Sequence, residues 1–104
     1  MKDSKTEDKI RKLIEKLNLR DIKKRLMSSG IRGGLNWDSK KADYFIEEYK
    51  GFLFLIWKYP NKRFAPTREM DEVWHTHILF TKKYFKDCNK IFNRYIHHDP
   101  ITRK

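Results

Sequence analysis

Between Asp38 and Tyr59 the apolar side chains keep a helical period. Ala42, Phe45, Ile46, Tyr49, Phe52, Leu53 and Ile56 fall on one stripe, because residues three and four apart share a helix face. Asp38 is the expected N-cap. The last turns, read as "GFLFLIW", are apolar all round. A helix of that kind must be covered on several sides, so it belongs at the centre of whatever the chain builds. Tyr59-Pro60-Asn61 stops it, since the residue before a proline is pushed out of the helical region, and a loop follows.

The rest of the chain supplies the cover. Ser4 and Glu7 have capping-box spacing, and Ile10, Leu13, Ile14 and Leu17 follow at helical intervals, which predicts a helix beginning near Lys5. Asn18 breaks the phase. Leu19, Ile22 and Leu26 then make a second short amphipathic segment with Asn18 as its candidate cap. Gly30, Gly33 and Gly34 follow a helix and lack the Gly-Lys-Ser/Thr ending of a phosphate-binding loop, so they read as a flexible connector. Thr67 is the expected cap of the next helix, with Met70, Val73, Trp74 and His77 facing inward. A break near Leu79 to Thr81 precedes a last helix carrying Tyr84, Phe85, Cys88, Ile91 and Phe92 on one face.

No stretch alternates as a strand. The expected fold is an all-α bundle of four to five helices, the last two forming a hairpin. Its expected core is Phe45, Tyr49, Phe52, Leu53, Ile56, Val73, Trp74, Tyr84 and Phe92. At 104 residues the chain is expected to be one domain. A helical segment over 1–28 and a connector over 29–37 lead into a core over 38–100. The hydrophobic fraction of 38% and the aromatic fraction of 14% set it apart from disordered sequences. One cysteine, Cys88, makes no internal disulfide and fits a reducing compartment. The start "MKDSKTEDK" has no apolar core of a signal peptide, and "FLFLIW" is too short to span a bilayer. An intracellular protein, cytoplasmic or nuclear, is expected.

The segment Asp71 to Phe80, "DEVWHTHILF", concentrates the chemistry. On a helix Asp71 and His75 lie one above the other, whereas His77 is rotated by about 200° from His75 and falls with Val73 and Trp74. If the last two helices form a hairpin pivoting near residue 80, Asp71 comes level with Cys88. An extended tail then brings His97 or His98 back towards both. Asp71, His75, Cys88 and His98, with His97 and His77 as alternates, would offer the carboxylate, imidazole and thiolate donors that suit Zn²⁺ in a structural site. The same atoms admit other readings. Asp71 and His75 are also an ordinary i, i+4 pair, and Cys88 a small buried hydrophobe. As a nucleophile Cys88 is poorly placed, mid-helix on an apolar face. His77, between aromatic residues on a core face, reads as a packed, hydrogen-bonded side chain.

Charge points to a second class of function. Lys and Arg number 25 against 14 Asp and Glu, a formal net charge of +11, which draws a protein towards nucleic acid or an acidic partner. Lys82, Lys86 and Lys90 recur every four residues away from Cys88, and Arg20, Lys23, Lys24 and Arg25 form a second cluster. These would grip phosphates without reading bases. A third reading is a structural adaptor with its histidines in a buried polar network. No catalytic residue or substrate is assigned, and oligomeric state is not legible.

Tyr59-Pro60, Pro66, Met70-Asp71, Trp74-His75, His77, Leu79, Tyr84, Asp87-Cys88, Phe92 and His97-His98 follow one another in an order that resembles the core of the glycine-rich domain-containing protein-like family. The resemblance runs from Tyr49 to Pro100. It implies that Asp71, Trp74, His75, His77, Cys88 and a terminal histidine belong to one signature, and it supplies no reaction. Members are plant proteins with glycine-rich tails, connected with development, stress and RNA association, and short stand-alone versions of unassigned function. This chain has four glycines and no such tail, so the RNA link is not carried over. Phe80 stands where such boxes often have aspartate. Asn93 replaces a glycine and is expected to take the left-handed conformation that ends a helix.

Overall fold

In a computed structural model, which describes residues 3–98, the long apolar segment is a helix of 20 residues and lies at the centre. The elements in order are α1 (Ser4–Glu15), α2 (Arg20–Met27), a single 3-10 turn (Gly30–Arg32), α3 (Ser39–Lys58), α4 (Arg68–Leu79) and α5 (Thr81–Phe92). There is no strand among the described residues. The protein is an all-α bundle in which α3 packs against α1, α2 and α4, while α5 packs against α4 and α1. Pro100, the end of the expected core segment, lies outside the described residues.

Caps fix where the helices start. Asp38 accepts from the Lys41 N–H at 2.8 Å and Thr67 from the Met70 N–H at 3.2 Å, both as expected. At α1 the cap is Asp3, not Ser4: its carboxylate accepts from the Thr6 N–H at 2.8 Å and the helix begins one residue early. An ionised acceptor at the positive end of a helix outcompetes a hydroxyl, and that backbone bond holds the Asp3 carboxyl below its usual range. At α2 the N-cap is Leu19, with no side-chain cap bond, and not the expected Asn18, which stands one residue earlier and accepts from the Arg20 N–H at 3.2 Å.

The glycine-containing connector is built, not loose. After the 3-10 turn, Gly33 takes φ +86°, a left-handed conformation that glycine adopts without penalty. The chain then folds back along the end of α2, where the Leu26 carbonyl accepts from the N–H groups of Leu35 at 3.2 Å and Trp37 at 3.1 Å. Arg25 Nε donates to the Gly33 carbonyl at 3.3 Å. Gly34 is pressed against α2 so closely that a Cβ would sit 2.2 Å from the Ser28 carbonyl oxygen. This turn delivers Trp37 into the core, 9% exposed.

The core combines Ile10, Ile14, Leu17, Leu19, Ile22 and Leu26 from the first two helices with the buried face of α3. Of the expected core, Tyr49, Phe52, Leu53, Val73, Trp74 and Tyr84 are buried, whereas Phe45, Ile56 and Phe92 pack at its margin. The apolar end of α3 is less completely covered than its composition implies, because Gly51 and Leu55 stay exposed. Phe85 departs furthest: it is 54% exposed. The apolar face of α5 is narrow, filled by Tyr84, Cys88 and Ile91 with Asp87, and Phe85 is rotated about 100° from Tyr84.

Candidate functional site

The break between α4 and α5 falls at Phe80, which ends one helix and begins the next. The two helices meet through Trp74 and His77 on α4 and Tyr84 and Asp87 on α5. Helical period puts His77 on the same face as Val73 and Trp74, and it is 1% exposed. Such burial requires partners for both ring nitrogens. The Nε2 lies 2.8 Å from Asp87 Oδ2 and the Nδ1 lies 2.7 Å from the Tyr49 hydroxyl. A carboxylate only accepts, so Nε2–H donates to Asp87; in the neutral imidazole Nδ1 then accepts the Tyr49 O–H.

Lys83 closes the chain of contacts, its Nζ 3.1 Å from the same Asp87 oxygen. Burial pushes the Asp87 carboxyl up, but the hydrogen bonds from His77 and Lys83 and the Lys83 charge outweigh it and hold it below the usual carboxylate range. Burial also drives the Tyr49 hydroxyl well above its ordinary value, so it stays a donor. Tyr49, His77 and Asp87 have the connectivity of a hydroxyl–imidazole–carboxylate triad, in which an acid orients a base beside a hydroxyl. Tyr49 is wholly buried, so no substrate reaches that oxygen in this conformation. The arrangement ties α3, α4 and α5 together, and among the described residues no buried side-chain nitrogen or oxygen lacks a partner.

A second relay closes the tail over the same helices. Trp74 Nε1–H donates to the Tyr84 hydroxyl at 2.9 Å, and Tyr84 donates in turn to the Ile96 carbonyl at 2.6 Å. Ile96 is buried. His98 stacks on Trp74, with ring centroids 4.1 Å apart and planes 22° apart, and its Nε2 bonds the Asp71 carboxylate.

The expected donor set is therefore spread over different environments. Asp71 and His98 meet. His75, one turn beyond Asp71, is exposed, as is His97, whose ring packs edge-on to Tyr95. Cys88 is 3% exposed. Burial raises its thiol above the ordinary value, with the Ile96 backbone and Tyr84 as its hydrogen-bonding neighbours. Among the described residues no three His, Cys, Asp or Glu side chains group as a metal site. Asp71 meets the tail at His98, and the two helices meet at Trp74–Tyr84 and His77–Asp87.

The basic residues divide in the same way. Lys82, Lys86 and Lys90 are exposed along α5, and Arg20 and Lys24 along α2. Lys23 pairs with Asp43 at 2.8 Å, and Arg25 is spent on the connector. Lys83 is not among the residues singled out from the sequence, and Asp87 enters there only within the Asp87-Cys88 pair of the family resemblance, with no role assigned. The available signal was an acid within the apolar stripe of α5, between Tyr84 and Ile91. An open groove of about 290 Å³ also runs between α1 and α3, lined by Arg11, Glu15, Glu47, Lys50 and Phe54. Its cations are already engaged: Arg11 lies 3.9 Å over the Phe54 ring and Lys50 bonds the Glu15 carbonyl.

The sequence model of one family matches residues 7–103, nearly the whole chain. The chain belongs to the UCP032817-like family. It is also similar to glycine-rich domain-containing protein 1 of Arabidopsis thaliana, 39% identical over 66 residues. Glycine-rich domain-containing protein 2 of the same plant is 34% identical over 65 residues. These matches cover 56% and 55% of this chain and 8% of each relative, so the chain spans less than a tenth of the relatives' length. The family resemblance carried by the Trp-His-x-His box is thus borne out. No solved structure matches the chain. No helix among the described residues is long and apolar enough to cross a membrane.

Proposed function

We propose that this member of the UCP032817-like family is a small helical binding module for nucleic acid, with the buried Tyr49–His77–Asp87–Lys83 network serving to hold α5 in place. One observation carries the reading. The only acid of α5, Asp87, is turned inward and paired with Lys83, while Lys82, Lys86 and Lys90 stay exposed. The outer face of α5 therefore presents cations with no carboxylate of its own helix to neutralise them. Phosphates fit such a face, and each one neutralised releases counterions. Affinity for a random duplex should fall steeply with salt. Replacing Lys82, Lys86 and Lys90 by Gln should flatten the slope of log K against log salt by about 2 to 3. An absence of binding at low salt, or an unchanged slope, would sink the reading. Binding to acidic protein but to no nucleic acid would reassign the face.

Structural zinc is a second reading, favoured by the meeting of Asp71 and His98. Those two donors suit the ion, and His75 lies one turn beyond Asp71. A structural site takes four donors, whereas Cys88 is buried and no three His, Cys, Asp or Glu side chains group together among the described residues. Metal analysis of protein purified without an affinity tag tests this reading. Stoichiometric zinc lost in His98→Ala and His75→Ala would support it, and metal-free wild type would remove it.

A further inference from the structure

Phe85 flanks the basic row of α5 and is the one large hydrophobic of that helix left exposed, at 54%. Side chains on a helix form rows along i, i+4. Lys82, Lys86 and Lys90 make one such row, and Thr81, Phe85 and Asn89 make the row beside it. All six are exposed. Two parallel ridges result, one cationic and one with an aromatic ring between two small polar groups. Neither ridge carries an acid. Four residues of helix advance by about 6 Å, and long flexible lysine stems adapt that spacing to a run of phosphates.

We infer that this double ridge binds single-stranded nucleic acid, with phosphates along Lys82, Lys86 and Lys90 and a base stacked on Phe85; the inference rests on the reading of α5 as a nucleic-acid face. In a duplex the faces of the bases are covered by their neighbours, so the ring would meet only sugar and phosphate. An unpaired base offers a face, and stacking on it is sequence-tolerant because every base has one. An anionic membrane fits less well. Interfacial helices bury a broad apolar face, whereas the ridge holding Phe85 is otherwise Thr81 and Asn89. Thr81 and Asn89 can hydrogen-bond to sugars or base edges on either side of the stacked base.

The test compares a fluorescent oligo(dT) 20-mer, a random 20-base-pair duplex and phosphatidylserine-containing vesicles at low salt. The proteins are wild type, Phe85→Ala, Phe85→Tyr and the triple Lys→Gln variant. Phe85 is exposed, so its variants should fold, and circular dichroism checks this. Wild type should bind oligo(dT) at least tenfold more tightly than duplex. Phe85→Ala should lose roughly 5- to 150-fold on oligo(dT), the range for one stacked base, and leave duplex affinity unchanged, while Phe85→Tyr keeps the wild-type value. The triple variant should weaken both. Equal affinity for the two nucleic acids, or an oligo(dT) affinity indifferent to Phe85→Ala, overturns this inference and leaves the nucleic-acid reading standing. No binding to either nucleic acid overturns both. Vesicle binding that needs Phe85, without oligo(dT) binding, reassigns the surface to membranes.

Discussion

His75 and His77 are two residues apart on one helix and meet opposite fates, because an imidazole rotated by about 200° exchanges solvent for the interior. The buried one is held by an acid and a hydroxyl, and the acid brings a pH dependence of its own. The folded Asp87 carboxyl lies below its ordinary value, so its stabilisation is complete above the ordinary carboxylate range and is lost as pH falls through the depressed folded value. Asp87→Ala leaves the His77 Nε2–H without an acceptor and should cost about 1.5 to 3 kcal/mol in urea denaturation at neutral pH. Asp87→Asn keeps an acceptor oxygen, so it should cost less while removing this part of the acid sensitivity. His75→Ala should stay within about 0.5 kcal/mol of wild type. A neutral Asp87→Ala would mean the network is not closed. Periodicity alone makes the inward position of His77 legible. Its partners are not, because Tyr49 stands 28 positions away and nothing local marks a core tyrosine's hydroxyl as an acceptor's mate.

At the scale of elements, caps and periodicity carry most of the information, because both act within a turn of the residue concerned. Asp38 and Thr67 can be placed from sequence for that reason. The connector cannot, since what organises it is the exposed end of α2: the Leu26 carbonyl gathers Leu35 and Trp37, a tertiary event invisible in a run of glycines. Close approach then makes two nearby glycines unequal. At Gly34 a Cβ would lie 2.1 Å from Ser28 Oγ and 2.4 Å from the Arg25 carbonyl, whereas at Gly30 it meets nothing within 4 Å. Gly34→Ala should cost about 1 to 3 kcal/mol, the range for forcing an atom into filled space, and Gly30→Ala should be close to neutral. Thermal denaturation of the two variants decides it. Equal effects would mean that the connector is as loose as its composition implies.

At the scale of the molecule, the tail from Asn93 to His98 is what closes the bundle. Asn93 ends α5 in the left-handed conformation at φ 59°. The chain then turns so that Ile96 enters the core and its carbonyl takes the Tyr84 hydroxyl, while His98 reaches Trp74 and Asp71. Tyr84 is the joint of this closure, since it accepts from α4 and donates to the tail. Removing its hydroxyl strands the buried Trp74 N–H and releases the tail together. Cys88 reports the event, because it is 3% exposed and has the Ile96 backbone as a hydrogen-bonding neighbour. Burial raises its thiol, so little reactive thiolate forms until the tail opens. Modification of Cys88 by an aromatic disulfide reagent should therefore be slow in wild type, limited by local opening. Tyr84→Phe should cost about 1 to 3 kcal/mol. If part of that loss, about 1.4 kcal/mol, falls on local tail opening, modification should speed up by about tenfold. Ile96→Ala should act in the same direction by emptying the site that holds the tail. If wild-type Cys88 reacts like an exposed thiol, or if neither substitution changes its rate, the tail does not seal the α4–α5 face, and His98 and Asp71 meet only in passing.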